Sequence, residues 1–142
     1  MLRLIGNVIW LLLGGIEAAI GWAIAGLILF IPIVTIPFGI QALKIARYTL
    51  WPFGSKLVSA VDSPLHGIAA VIGNILWIPF GLVLALVHLV AALLTAITII
   101  GLPFAWAHLK LAGVSLVPFG FRVVDADSYA AGEAAHAVDR LG

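Results

Sequence analysis

The chain has 142 residues, 64% of them hydrophobic and 9% charged, with a mean hydropathy of +1.26. Soluble domains carry about 25% charged residues, so this composition excludes a water-covered globule and points to the helical membrane class. A net charge of +1 leaves no footprint for nucleic acid, and the absence of cysteine excludes disulfides and thiolate metal sites.

Taken in chain order, Leu4 to Phe30 reads as one apolar helix of about 27 residues, roughly 40 Å long and able to cross a bilayer with tilt. A cleaved leader would also begin with a basic residue such as Arg3 before an apolar run. A second apolar region of the same layout begins at Val71, where no leader can be, so the first is expected to be retained. Ile31-Pro32 and Thr35-Ile36-Pro37 then act as breakers, because proline lacks the backbone donor and clashes with the preceding turn. Phe38 to Leu50 follows, about 13 residues and roughly 20 Å as helix, too short to span. Gln41, Lys44, Arg47 and Tyr48 share one face of it, which suits an interfacial or re-entrant helix. Trp51-Pro52-Phe53-Gly54 closes the segment and leads into Lys56-Leu57-Val58, a candidate extended piece after a Pro-Gly turn. Ser59 to Gly67 is the polar linker, with Asp62, Pro64 and His66.

The layout then repeats. Ile5-Gly6-Asn7 and Trp10 recur as Ile72-Gly73-Asn74 and Trp77, and Gly14, Ala18 and Ala25 as Gly81, Ala85 and Ala92. After a one-residue deletion Pro37-Phe38 recurs as Pro103-Phe104, Lys44 as Lys110 and Pro52-Phe53-Gly54 as Pro118-Phe119-Gly120, with Lys56 opposite Arg122. So many coincidences in one collinear order imply two tandem units. The fold expected is an all-α integral membrane protein. Each unit would be a long transmembrane helix plus a proline-broken short helix ending in a Pro-Phe-Gly turn. The boundaries are 1–66 for the first unit and linker, 67–124 for the second unit, and 125–142 for a polar tail in which Ser128 to Leu141 is a candidate exposed helix.

Basic residues near span ends set orientation. One crossing per unit puts Arg3, Lys110 and Arg122 on one side and Lys44, Arg47 and Lys56 on the other, with no bias. A bend at Gly14-Gly15 and at Gly81 gathers all of them on one side, but half-legs of about 15 residues would not span. Either way both termini share a side, expected to be the cytoplasmic one.

Gly14, Ala18, Gly21 and Ala25 form a stripe of small residues, continued in the second unit by Gly81, Ala85 and Ala92. Such stripes let helices approach closely in lipid, between the units or between copies of the chain. Glu17 borders the first stripe, and His88 stands in the second at the position aligned with Gly21. Ionisable groups at bilayer depth cost at least about 2.5 kcal/mol on insertion scales. If the stripes pack together, Glu17 and His88 would either form part of an ion or proton path or hydrogen-bond to fix helix register. Asn7 and Asn74 read as register-setting amides or as the mouth of such a path. Trp10, Trp22, Trp51, Trp77 and Trp106 are expected to include interfacial anchors. Lys44, Arg47, Lys56, Lys110 and Arg122 are the interfacial cations. His66, His108 and His136 lack metal-ligand spacing, and no catalytic constellation is present, so neither enzyme activity nor a cofactor or metal is expected.

The pair GNVIW with IPFGIQALKIARYTLWPFG, and GNILW with IGLPFAWAHLKLAGVSLVPFG, resembles the YccF family of small bacterial inner-membrane proteins, from about Leu4 to Val124. The resemblance implies a duplicated membrane domain, a multi-pass protein and a cytoplasmic C-terminus. It transfers no catalytic residue. Together these features lead to the expectation of an oligomeric channel or transport-related component. The alternative is a non-conducting scaffold or accessory subunit whose partners are the bilayer, its own copies and a larger membrane assembly.

Overall fold

The first apolar stretch folds as a helix that breaks once. The computed structural model describes residues 1–60 and 64–141; the linker residue Asp62 and the side chain of His136 lie outside that description. Helix α1 (Leu2–Trp10) passes through a distorted segment, Leu11–Gly15, into α2 (Ile16–Ile28). Leu13 leaves helical geometry with ψ 19° and Gly14 takes φ +114°, a conformation open to glycine because it has no Cβ. The chain continues past this kink, so Gly14-Gly15 is not a hairpin bend. In the second half α4 (Pro64–Ala96) runs unbroken through Gly81. Neither glycine reverses the chain.

The reversals fall at the proline-rich breakers. Ile33–Thr35 is a single tight turn, and Thr35 Oγ1 donates to the Leu29 and Pro32 carbonyls at 2.6 and 2.9 Å. Helix α3 (Ile36–Leu50) and helix α5 (Leu102–Leu116) each start with proline in the first turn, where a missing N–H costs nothing. α3 returns antiparallel to α2: Gly39 lies against Gly26 near the reversal, and Thr49 reaches the level of Trp10 at the other end. α5 returns along α4 in the same way, with His108 beside His88 and Ser115 beside Trp77. The short segments therefore pack on their own long helices, which replaces the expectation of an interfacial placement. In lipid a helix gains more from close contact with another helix than from lying apart, since van der Waals packing supplies the association energy there.

This path brings the cations to one end. Strand β1 (Ser55–Ser59) pairs antiparallel with β2 (Phe121–Asp125), with Lys56 opposite Val124 and Val58 opposite Arg122. Arg3 meets Asp127, at the start of α6 (Ala126–Leu141), at 2.6 Å. Lys44 and Arg47 line a groove with Arg122, and Lys110 lines another with Phe53 and Ser55. The charge distribution sought from a bend at the glycines thus arises from reversals at the prolines. The two-stranded sheet amends the all-α expectation. Gly54 and Gly120, at φ +115° and +107°, make the turns that enter its strands.

The halves interlock. Phe38 packs edge-on to Phe119 (centroids 5.0 Å apart) and Phe104 edge-on to Phe53 (5.8 Å), so each short helix rests on the turn of the other half. Gln41 Nε2 donates to the Phe121 carbonyl at 2.6 Å. Trp22 and Trp77 stack at 5.1 Å across the centre. The small-residue stripes are consumed in this packing: Ala18, Ala25, Ala85 and Ala92 are buried, and a Cβ added to Gly21 would come within 2.8 Å of Leu84. The outer surface is aliphatic instead, with Ile20, Ile24, Leu27, Leu82, Val83 and Leu86 exposed. Two helical stretches, Leu2–Ile28 and His66–Ala96, are long and apolar enough to cross a membrane.

Candidate functional site: a buried histidine pair

Among the described residues the buried polar side chains of this apolar bundle are hydrogen-bonded, except the Thr49 hydroxyl, which is buried without a partner. Asn7 is fully buried and clamps one residue of the opposing turn from both sides. Its Nδ2 donates to the Phe53 carbonyl and its Oδ1 accepts from the Phe53 N–H, both at 2.9 Å. Asn74 holds Phe119 identically, at 3.1 and 3.0 Å. One turn further along, Trp10 Nε1 donates to the Thr49 carbonyl at 2.6 Å and Trp77 Nε1 to the Ser115 carbonyl at 2.8 Å. An amide suits the clamp because it carries a donor and an acceptor side by side, matching the two backbone groups of one residue. Both asparagines therefore fasten a turn and its short helix to a long helix.

The halves differ at the centre, where His88 and His108 are both fully buried. Trp22 Nε1 donates to His88 Nε2 at 3.4 Å, His88 Nδ1 lies 3.1 Å from His108 Nδ1, and His108 Nε2 lies 3.1 Å from the Leu13 carbonyl. The roles follow from the ends. Indole N–H only donates, so His88 Nε2 accepts and its proton sits on Nδ1. That proton goes to His108 Nδ1, leaving His108 protonated at Nε2, which donates to the carbonyl. One arrangement of two neutral imidazoles satisfies every group. The Leu13 carbonyl is available because the kink at Gly14 takes it out of helical geometry. The Trp10 ring covers His108 at 4.3 Å.

Glu17 is not part of this network. It is exposed on the outer face, between two apolar grooves of about 460 and 440 Å³ that it lines with Leu86, Val87 and Leu84. The partner of His88 is His108, not Glu17. Of the tryptophans, Trp10, Trp22 and Trp77 are fully buried and cannot be interfacial anchors, whereas Trp51 and Trp106 are exposed. Lys110 lies over the Trp106 ring and Lys56 over the Tyr129 ring, at 5.7 and 4.8 Å from the centroids. Outside the membrane helices, the hydrogen bond from Arg3 holds the Asp127 carboxyl below its ordinary range, and the Ser128 N–H does the same for Asp125. Among the described residues no three His, Cys, Asp or Glu side chains gather as a metal site.

The same elements are matched by a family model described as the inner membrane component domain, over residues 5–55 and again over 72–121. The chain belongs to the YccF family. It is 31% identical, over 147 residues covering 99% of both chains, to Inner membrane protein YccF of Escherichia coli (strain K12), and equally to the protein of that name in Shigella flexneri. No solved structure matches. The first YccF match contains Asn7, Trp10, Thr49 and Phe53, and the second contains Asn74, Trp77, Ser115 and Phe119 together with both buried histidines. Membership makes the protein an inner membrane component. Sequence reasoning gives His108 no role and groups Trp22 with the interfacial anchors, whereas both are buried in the hydrogen-bonded chain. A signal for the histidines was present: His88 and His108 stand where the aligned positions of the first half hold Gly21 and Ala42.

Proposed function

We propose that this chain is a non-conducting structural component of the inner membrane, in which the buried polar groups lock two helical hairpins together. The observation that carries the reading is the direction of the histidine chain. Proton relay along imidazoles needs every donor and acceptor to exchange roles. Here one end is an indole, which only donates, and the other is a peptide carbonyl, which only accepts. Neither end can hand a proton on, Asn7 and Asn74 are bonded to the backbone of Phe53 and Phe119, and Glu17, although it lines a groove with His108, makes no hydrogen bond to the pair. The matched clamps of Asn7 and Asn74 support a duplicated hairpin unit. The gathering of basic residues at the sheet end supports insertion with that end and both termini cytoplasmic. Cysteines replacing Arg3 and Lys44 should be labelled from the cytoplasmic face only.

Glu17 supports assembly. An ionisable side chain left unpaired on an aliphatic, lipid-facing surface is costly unless something covers it. A second copy, or another membrane chain, meeting this face would do so, and Glu17→Cys should then cross-link at the interface, since the chain has no cysteine of its own. The decisive experiment is proton and ion flux in liposomes holding the purified protein. The expected result is flux no greater than in protein-free liposomes. Flux that His88→Gln or Glu17→Gln reduces in folded protein overturns the reading in favour of a transport path.

A further inference from the structure

Three cations at the sheet end line one groove. The groove holds about 600 Å³ between the last turns of α3 and strand β2, and Lys44, Arg47 and Arg122 line it with Tyr48 and Trp51. The remaining described cations are engaged elsewhere: Arg3 with Asp127, Lys56 over Tyr129 and Lys110 over Trp106. The groove cations form no ion pair among the described residues. One carboxylate, Asp125, also lines the groove, but its Oδ1 accepts from the Ser128 N–H and hydroxyl at 2.8 and 2.9 Å, capping α6. Gln41 Nε2 is likewise taken by the Phe121 carbonyl, which fixes β2 against α3 and so sets the spacing of Arg122 from Arg47.

We propose that this groove binds the phosphate headgroup of an anionic phospholipid. Two guanidiniums and an ammonium lining one groove with a single carboxylate leave it net positive, which suits the oxygens of a phosphodiester, and guanidinium binds these in bidentate fashion. The volume lies in the range of small-ligand pockets and exceeds what a bare phosphate fills. Two features favour a lipid over a soluble phosphate. The groove lies at the end of membrane helices, where a basic site faces the headgroup layer. Its flank is apolar and open, with Ile40, Leu50 and Trp51 each more than two-fifths exposed on α3 and at its end, so acyl chains can run down the helix from a bound headgroup.

Native mass spectrometry of the full-length protein in detergent tests this, with phosphatidylglycerol and phosphatidylcholine of the same acyl chains as probes. The wild-type protein should retain phosphatidylglycerol about tenfold over phosphatidylcholine. Arg47→Gln with Arg122→Gln should abolish that preference while the helical circular dichroism is kept, and Lys110→Gln should leave it intact. If the double variant does not fold, Lys44→Gln, at an exposed position, should weaken the preference on its own. No preference in the wild type, or preference surviving these groove changes, overturns the site. Equal loss in Lys110→Gln also overturns it, since that result reports overall charge. Displacement of the lipid by millimolar inorganic phosphate or glycerol phosphate overturns the lipid assignment and identifies a soluble anion as the ligand.

Discussion

Replacing His108 with leucine tests the buried pair most directly. The side chains are close in size, so the change removes hydrogen bonding with little loss of packing. Two groups lose their partners: the Nδ1–H of His88 and the Leu13 carbonyl. A buried donor or acceptor left unsatisfied costs about 1–3 kcal/mol, whereas interhelical hydrogen bonds measured in a membrane protein average about 0.6 kcal/mol. The His88 donor is fully buried and the Leu13 carbonyl partly so, and the two together give an expected loss of about 2–4 kcal/mol. His88→Leu likewise strands two groups, the Trp22 N–H and His108 Nδ1. The double variant strands only the Trp22 N–H and the Leu13 carbonyl. The singles together orphan four groups and the double orphans two, so the double should cost about half the sum of the singles. Reversible unfolding in mixed detergent micelles gives all three values. Additive losses, or a loss below about 0.5 kcal/mol for His108→Leu, would refute the linked chain. Imidazole nitrogen NMR provides an independent check. His88 should carry its proton on Nδ1 and His108 on Nε2, and the opposite tautomers would overturn the assignment whatever the stabilities.

Gly14→Ala should cost about 1–3 kcal/mol, because a side chain at φ +114° is strained and its Cβ would sit 3.3 Å from the His108 ring. The same unfolding assay measures it, and a neutral effect would mean the kink is not required. Asn7→Ala and Asn74→Ala each strip two hydrogen bonds from a turn and should each lose about 2 kcal/mol; a large effect at one and none at the other would contradict equivalent clamps. Asp127 is held below the ordinary carboxylate range by Arg3. Its contribution is therefore present above the unfolded carboxylate value, about 3.9, and is lost as pH falls through the lowered folded value. Carboxyl NMR titration should find Asp127 rising toward the ordinary value in Arg3→Gln, and no movement would remove the pair.

Much of the architecture was legible because it is written as local chemistry. The prolines at 32, 37 and 103 marked the breaks between a long helix and the short one that follows it, and the duplicated Asn, Trp and Pro-Phe-Gly positions marked groups that recur in the same hydrogen bonds. What was not legible depends on contacts between distant segments. The direction in which the chain leaves each proline is decided by close packing, such as Gly26 against Gly39, which no periodicity encodes. Glu17 and His88 fall near one stripe on a helical wheel. On α2 the stripe residues Ala18 and Ala25 are buried while the neighbouring Glu17 is exposed, and His88 is covered by α5. Burial of three of the five tryptophans was hidden for the same reason: Trp10 and Trp77 find a carbonyl at the end of a short helix, and Trp22 finds His88.

The kink and the histidines explain each other. At the aligned positions the first half has Gly21 and Ala42, where the second has His88 and His108. Only the first long helix breaks, at Gly14, while the second passes straight through Gly81. A broken helix in an apolar bundle leaves a carbonyl that water cannot reach, and such a group must be satisfied by protein. His108 satisfies it, His88 satisfies His108, and the indole of Trp22 satisfies His88. The asymmetry of the two halves is thus one linked change rather than several. It also has a fixed direction, from a donor on α2 through both imidazoles to an acceptor in the kink that precedes α2. A chain of that kind ties the first long helix to the second hairpin at two points, Leu13 and Trp22, about two and a half turns apart, and that is what a joint requires and a proton path does not.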